Sequence, residues 1–242
     1  MIEMAEAPEL SQTPAERTGA VLLCAATRWE AAPLARRLKL VSAGTFLFSG
    51  RVQETPVLLV KTGMGADNAS RALGTILPAE KLSRVLSVGL AGALNAQAKS
   101  DSIVADIPDE HSRWKDAARA AAKKTGAALH LGGVVNSDGV ASPAQKRALG
   151  EETGALAVDM ETAAVRRWAR GRGVPALALR VILDELDEEL PSRVPAGEDA
   201  ASLVKFAAAN AGSLVRLWSL GRRQRRAMGV LSEFLQEFLP CL

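Results

Sequence analysis

The 242-residue sequence contains no tyrosine, only two histidines and only two cysteines, and aromatic residues make up 4% of it. Cys24 and Cys241 stand at opposite ends of the chain. With so few histidines and cysteines, so scattered, no zinc-ligand spacing exists. Cys24 lies inside the apolar run "AVLLCAA" (20–26), which suits a reduced, buried thiol better than a disulfide. No stretch approaches the roughly 18–20 uncharged apolar residues that a spanning helix needs. Residues 1–18 carry Glu3, Glu6, Glu9 and Glu16 and no apolar core of a secretory signal. A cytoplasmic protein that does not span the membrane is expected. The 30 basic and 27 acidic residues leave a net charge of only +3, so no nucleic-acid partner is indicated. There is no Gly-Lys-Ser/Thr phosphate loop, and no G-x-G-x-x-G stretch follows a strand.

What is present is the composition of a packed globule, 48% hydrophobic. No domain-scale linker interrupts it, so one α/β domain over 19–212 is expected, with a flexible lead at 1–18 and a distinct tail at 213–242. Apolar runs at 20–26, 84–94, 102–107, 129–135, 155–158 and 174–183 read as strands, and 45–65 reads as two more. Helical spacing falls at 28–40, 66–77, 112–125, from Ser142-Pro143 onward, from Asp159, and over 199–221. Asp67 or Asn68 is available to cap the second of these helices. Strands alternating with helices imply a three-layer αβα fold around a twisted, mostly parallel mixed sheet.

In such sheets ligands bind beyond the carboxyl ends of the strands. "ALAVDMETAAV" (155–165) places two acids, Asp159 and Glu161, in an otherwise apolar run at such an end. Ionised carboxylates are almost never buried without partners. The pair therefore meets a ligand, or Asp159 caps the next helix while Glu161 complements its dipole. Asp184 follows a long apolar strand in "VILDELDEEL", where it suits a general acid or the start of an acidic loop. Glu30 in "CAATRWEAAPL" lies near the start of a helix, a place equally natural for a first-turn acid on a solvated face. "SVGLAGAL" and "KTGMGADNA" are glycine-rich strand ends that let a ligand approach the backbone.

Taken in order, "AATRWEAAPL", "KTGMGADNAS", "SVGLAGAL", "NSDGVASP", "AVDMETAAV" and "LRVILDELD" resemble the nucleoside phosphorylase and nucleosidase superfamily. Within it they most resemble the methylthioadenosine/S-adenosylhomocysteine nucleosidases. The resemblance runs from about Ala20 to about Asp187, and its most specific part is "VDMETAAV" followed by "RVILD". It implies cleavage of the N-glycosidic bond of a purine nucleoside, with adenine as the base and a 5′-substituted sugar, through an oxocarbenium-like transition state. Asp184 matches the general acid to the base, a role that needs a protonated carboxyl. Glu161 matches the carboxylate that grips the ribose hydroxyls, and Met160 would pack on the sugar. Glu30 matches the acid that activates water. Leu90, Ala91 and Gly92 would line the base and sugar pocket, Val140 and Ala141 would lie beside the base, and Asp159 would shape the junction. The resemblance implies no metal and no cofactor, a homodimer or higher homo-oligomer, and a small-molecule nucleoside as partner.

The chain also departs from the family. Thr27-Arg28-Trp29 stands where the nucleosidases carry an acidic run. The Gly-Asp-Pro-x-Arg-type loop and second arginine that hold phosphate in the phosphorylases are missing. Leu183 replaces a frequent serine, and Val140 an aromatic that stacks on the base. Hydrolysis is therefore favoured over phosphorolysis, in which phosphate would be the co-substrate and Arg28 a substitute anion ligand. The altered loop keeps open a non-catalytic nucleoside-binding protein.

The tail, 213–242, spaces Leu214, Leu217, Trp218, Leu231, Phe234, Leu235 and Phe238 at helical intervals around Arg216, Arg222, Arg223, Arg225 and Arg226. Such a basic amphipathic helix either lies on an anionic membrane surface, peripherally at the inner face, or packs on its own domain or a partner subunit. With "VVNSDGVASPAQKRAL" and "DELDEELP" it resembles the hopanoid-associated phosphorylases, a branch whose implied substrate is an adenosylated hopanoid lipid.

Overall fold

A computed structural model describes residues 19–75, 82–190 and 214–242, and the side chains of 214–217 lie outside that description. The expected lead at 1–18, residues 76–77 of the second helix and residues 199–213 of the helix expected at 199–221 also fall outside the described residues. Among the described residues ten strands form one sheet: β1 (Ala20–Ala25), β2 (Val41–Ser42), β3 (Leu47–Val52), β4 (Thr55–Lys61), β5 (Leu82–Ala93), β6 (Ile103–Asp106), β7 (Leu129–Leu131), β8 (Val134–Asn136), β9 (Ala157–Asp159) and β10 (Ala176–Asp184). Among the described residues the α-helices are α1 (Arg28–Arg37), α2 (Ala66–Gly74), α3 (Ser112–Thr125), α4 (Pro143–Thr153), α5 (Thr162–Arg170) and α6 (Leu214–Phe238).

The main path runs β2-β3-β4-β1-β5-β10-β6-β7, with β9 paired to β5 and β8 to β9. Its central strands β4, β1, β5 and β10 are parallel, whereas β2–β3, β3–β4, β10–β6 and β5–β9 are antiparallel. This is the mixed αβα sheet expected from alternating strands and helices. The unbroken apolar run of β1 follows from burial on both faces. Val21, Leu23 and Ala25 join one core with Leu34, Trp114 and Phe234 from α1, α3 and α6. Leu22 and Cys24 join the opposite core with Leu73, Val165 and Trp168 from α2 and α5. Successive side chains of a strand point to opposite faces, so a strand covered on both sides has no polar phase.

Two local expectations are corrected. The strand expected at 129–135 is two strands with different partners: β7 pairs with β6, and β8 pairs with β9. Gly132 and Gly133 make the break, and a Cβ on Gly132 would stand 2.4 Å from Leu156 Cδ1. Nor is α2 capped by Asp67 or Asn68. Gly65 occupies the cap with φ +88°, and the Asn68 amide instead donates to the Met64 carbonyl at 2.7 Å.

The C-terminal part of the tail's apolar stripe is buried by the domain itself. Leu231, Phe234, Leu235 and Phe238 are fully buried against the first core, each contributing about 1.5–3 kcal/mol by leaving water. The Gln236 amide donates to the Arg37 carbonyl at 2.8 Å, tying α6 to the end of α1. Trp218 remains 63% exposed, with the Arg222 guanidinium 4.7 Å from its ring centre. Among the described residues, no helix is long and apolar enough to cross a membrane.

Candidate functional site

A cavity of about 770 Å³ opens beyond the carboxyl ends of β1, β5, β9 and β10, within the range of about 300–1,000 Å³ that encloses a small ligand. All eleven residues singled out in the sequence line it: Arg28, Glu30, Leu90, Ala91, Gly92, Val140, Ala141, Asp159, Met160, Glu161 and Asp184. The motifs meet in one wall because the parallel strands β1, β5 and β10 deliver their carboxyl ends to the same rim, where β9 pairs antiparallel with the end of β5, Val158 opposite Gly92.

Glu30 reaches the cavity from the first turn of α1. Its Oε2 accepts from the Thr27 backbone N–H at 2.9 Å and the Thr27 hydroxyl at 3.0 Å, a local capping box. Its Oε1 accepts from the Leu90 N–H at 2.8 Å. The acid therefore caps its helix but is only 4% exposed, which overturns the solvated first-turn alternative. Gly89 makes room for it. A Cβ there would stand 2.3 Å from Glu30 Oε1 and 2.8 Å from Arg180 Nη1, at a φ of +151° that L residues rarely adopt.

Asp159 and Glu161 divide their work. The Asp159 side chain is 1% exposed and ion-paired with Arg180, whose side chain is equally buried. It also accepts from the Thr162 backbone N–H at 3.2 Å, tying down the start of α5. Arg180 further donates to the Ser87 and Thr162 hydroxyls at 2.6 and 3.0 Å. Asp159 is thus held by protein groups and shapes the strand-to-helix junction. Glu161 receives the Gly65 N–H at 2.6 Å, the free amide at the start of α2. Burial pushes its carboxyl up from 4.5 to about 7, against the opposing field of Arg180 and the Gly65 bond, and the charges of Glu30 and Asp159 push it further the same way.

Asp184 closes the third side. A register shift in the β10–β5 pairing between Ile182 and Asp184 sets it opposite Gly92. A Cβ on Gly92 would lie 3.0 Å from Asp184 Oδ2. Burial raises the proton affinity of this carboxyl, and the ion-paired Lys146 ammonium lowers it. Met160, Leu90, Ala91, Val140 and Ala141 supply apolar wall between the carboxylates, and Arg28 lies exposed at the mouth. Among the described residues, no group of three or more His, Cys, Asp or Glu side chains is placed to hold a metal ion.

Sequence reasoning missed Arg180, Lys146 and the outer wall. Arg180 had a signal, as the only charge in "ALALRVIL". Lys146 had none, since it sits beside Arg147 in an ordinary polar helix. The outer wall comprises Trp29, Pro33 and Arg36 of α1, Leu220, Gly221, Gln224 and Arg225 of α6, and Leu190. The tail thus contributes to the cavity, which its amphipathic pattern alone did not suggest.

Residues 20–112 and 106–218 match the family model of the phosphorylase superfamily. The chain belongs to the phosphorylase superfamily. That is the superfamily expected from the order of the motifs, and it makes the protein an enzyme acting on nucleosides. The futalosine hydrolase of Helicobacter pylori superposes with a TM-score of 0.68 at 18% identity, covering 94% of this chain and 100% of that one. The 5′-methylthioadenosine/S-adenosyl homocysteine nucleosidase of Campylobacter jejuni gives 0.68 at 16% identity, over 93% and 100%. The Neisseria meningitidis nucleosidase, in complex with methylthio-immucillin-A, gives 0.68 at 20% identity, over 92% and 99%. At these identities the likeness is one of fold. No curated protein matches the sequence.

Proposed function

We propose that this member of the phosphorylase superfamily hydrolyses the N-glycosidic bond of a 5′-substituted purine nucleoside, with adenine as the leaving base. The observation that carries the reading is the convergence of three buried carboxyls, Glu30, Glu161 and Asp184, on one cavity with apolar wall between them. Asp184, its proton affinity raised by burial, donates a proton to a ring nitrogen of the base as the C–N bond breaks. Positive charge then develops on the ribose. Glu161 accepts hydrogen bonds from the sugar hydroxyls, and buried carboxylates stabilise that charge more strongly than exposed ones. Glu30 takes a proton from water, whose oxygen bonds to the sugar carbon. Free base and free sugar leave, and the proton held by Glu30 restores the one Asp184 gave. Met160 packs on the sugar, while Leu90–Gly92, Val140 and Ala141 enclose the base with aliphatic groups.

Hydrolysis is favoured over phosphorolysis because the Glu30 carboxyl occupies the space above Gly89, where its charge would oppose a phosphate. In the phosphorolytic alternative phosphate is the co-substrate and Arg28 the first anion ligand. The apolar outer wall, Trp29, Pro33, Leu190 and Leu220, suits a substrate with a long apolar 5′ group such as an adenosylated hopanoid lipid. On that reading a cytoplasmic protein, acting as a homo-oligomer, presents its cavity mouth to the inner membrane face through Trp218 and Arg222. Replacing Trp218 with serine would then weaken binding to anionic vesicles while leaving the melting temperature unchanged. The deciding experiment measures adenine release from methylthioadenosine, adenosylhomocysteine and a 5′-alkylated adenosine, with and without phosphate. Release without phosphate, lost in Glu30→Gln, is expected. Release only with phosphate would make the enzyme a phosphorylase, and no release from any of the three would favour a nucleoside-binding protein.

A further inference from the structure

The strand end that carries Asp184 is held by two cations that do not arise from its own strand. Lys146, on α4, is 1% exposed. Its ammonium group donates to the Glu185 and Glu188 carbonyls, each at 2.8 Å, and pairs with Asp184 Oδ2. A lysine ammonium has three donors and no acceptor, so every donor is used, and all three hold the turn at 184–188. Arg223, on α6, grips the same turn as well. Its guanidinium spans both carboxylate oxygens of Glu188 and donates to the Leu183 carbonyl and, at 3.2 Å, to the Ser100 hydroxyl. Two parallel bonds to one carboxylate fix orientation as well as distance. Glu185 adds a tie to the Ser100 N–H at 3.2 Å. Arg223 lies beyond residue 218, where the family match ends, and it does not line the cavity.

We propose that Lys146 and Arg223 are positioning residues for Asp184, clamping its turn from α4 and α6 so that the carboxyl is aimed at the leaving base and its anion is stabilised once the proton has gone. This rests on the reading of Asp184 as the proton donor. The charged groups facing Asp184 are Lys146 from α4, Glu188 from the turn itself and Arg223 from α6. Both cations favour the carboxylate, so the clamp eases proton release while burial keeps the proton in place until substrate binds. A purely structural clamp would affect folding and substrate affinity without moving the pH dependence of turnover.

The test measures kcat and KM against pH for Lys146→Met, Lys146→Arg, Arg223→Met and Asp184→Asn, with thermal melts of each. The substrate is whichever adenosine derivative the wild type cleaves fastest. An acid that works protonated loses activity as pH rises, so removing its neighbouring cation moves the alkaline limb of kcat upward. Lys146→Met is expected to lower kcat at neutral pH about tenfold or more with KM within about threefold, and to move that limb up by about one pH unit or more. Lys146→Arg should recover most of the limb position, and Arg223→Met should shift it in the same direction by less. If Lys146→Met does not fold, the Arg223→Met limb decides, since that side chain is half-buried at the surface. A wild-type limb and kcat in a folded variant, with Asp184→Asn inactive, overturns the clamp alone. Full turnover by Asp184→Asn overturns the assignment of Asp184 and the clamp with it.

Discussion

Replacing Arg180 with methionine tests the electrostatic centre of the site. The Arg180 and Asp159 side chains are each 1% exposed and paired with one another. Removal of the cation leaves a buried carboxylate whose remaining donors are the Thr162 backbone and hydroxyl. It also removes the donor that the Ser87 hydroxyl now receives at 2.6 Å. Breaking a buried ion pair from one side costs about 3–5 kcal/mol. In a chain of this length each kcal/mol lowers the melting temperature by about 2–4 °C, so the expected fall is roughly 6–20 °C. Most of that cost is the stranded charge rather than a lost bond, and a second substitution separates the two. Asp159→Asn combined with Arg180→Met should be more stable than Arg180→Met alone, because no buried charge is left unpaired. Arg180→Lys should lie between, since an ammonium keeps the charge but lacks the reach and planar shape with which the guanidinium sets its Nη2 against Asp159, Ser87 and Thr162. Thermal melts and urea titrations of these variants are read beside wild type and Asp159→Asn alone, which complete the double-mutant cycle. A fall of less than about 1 kcal/mol in Arg180→Met, or a double variant weaker than the single one, would refute the argument.

Glu161 predicts a stability that depends on pH. Its folded carboxyl holds a proton up to about 7 while the unfolded group releases it near 4.5. The contribution of Glu161 to stability is therefore fully present below 4.5 and is lost as pH rises towards 7, by at most roughly 3 kcal/mol. Glu161→Gln should flatten that slope in urea melts at pH 4.5 and 8, while adenine release disappears. Gly89→Ala would place a Cβ 2.3 Å from Glu30 Oε1 at a φ of +151°, and a loss of about 2 kcal/mol or more is expected together with a collapse of turnover. A variant as stable and active as wild type would show that the Glu30 contact is not tight. The thiols give a simpler check: burial pushes Cys24 up to about 12, whereas Cys241 is exposed. A disulfide reagent at pH 8 should titrate one thiol of the native protein and the second only in denaturant.

The sequence by itself determined the alternation of strands and helices and the acids that stand on the inner wall of the cavity. Those features follow from local order. An apolar strand such as "ALALRVIL" must be covered on both faces, and each parallel strand must end at the rim where the next residues become polar. That is why Glu30 and Asp184 were visible as acids just past apolar runs; Glu161 also follows an apolar run, but its strand β9 runs antiparallel to β5. Local pattern did not reveal what those acids touch. Glu30 meets Leu90, and Glu161 meets Gly65, across sequence separations of 60 and 96 residues. Asp159 could equally have met a ligand or a cap, and only the approach of Arg180 from β10 decided between them. The same holds for the tail, whose amphipathic stripe fits a membrane or a protein core equally well. Tertiary packing settled its residues 231–238 by burying them on α1 and α3. It also brought Arg223 to the turn that follows Asp184. A helical stripe records that a face needs apolar cover, and only the folded chain supplies the cover.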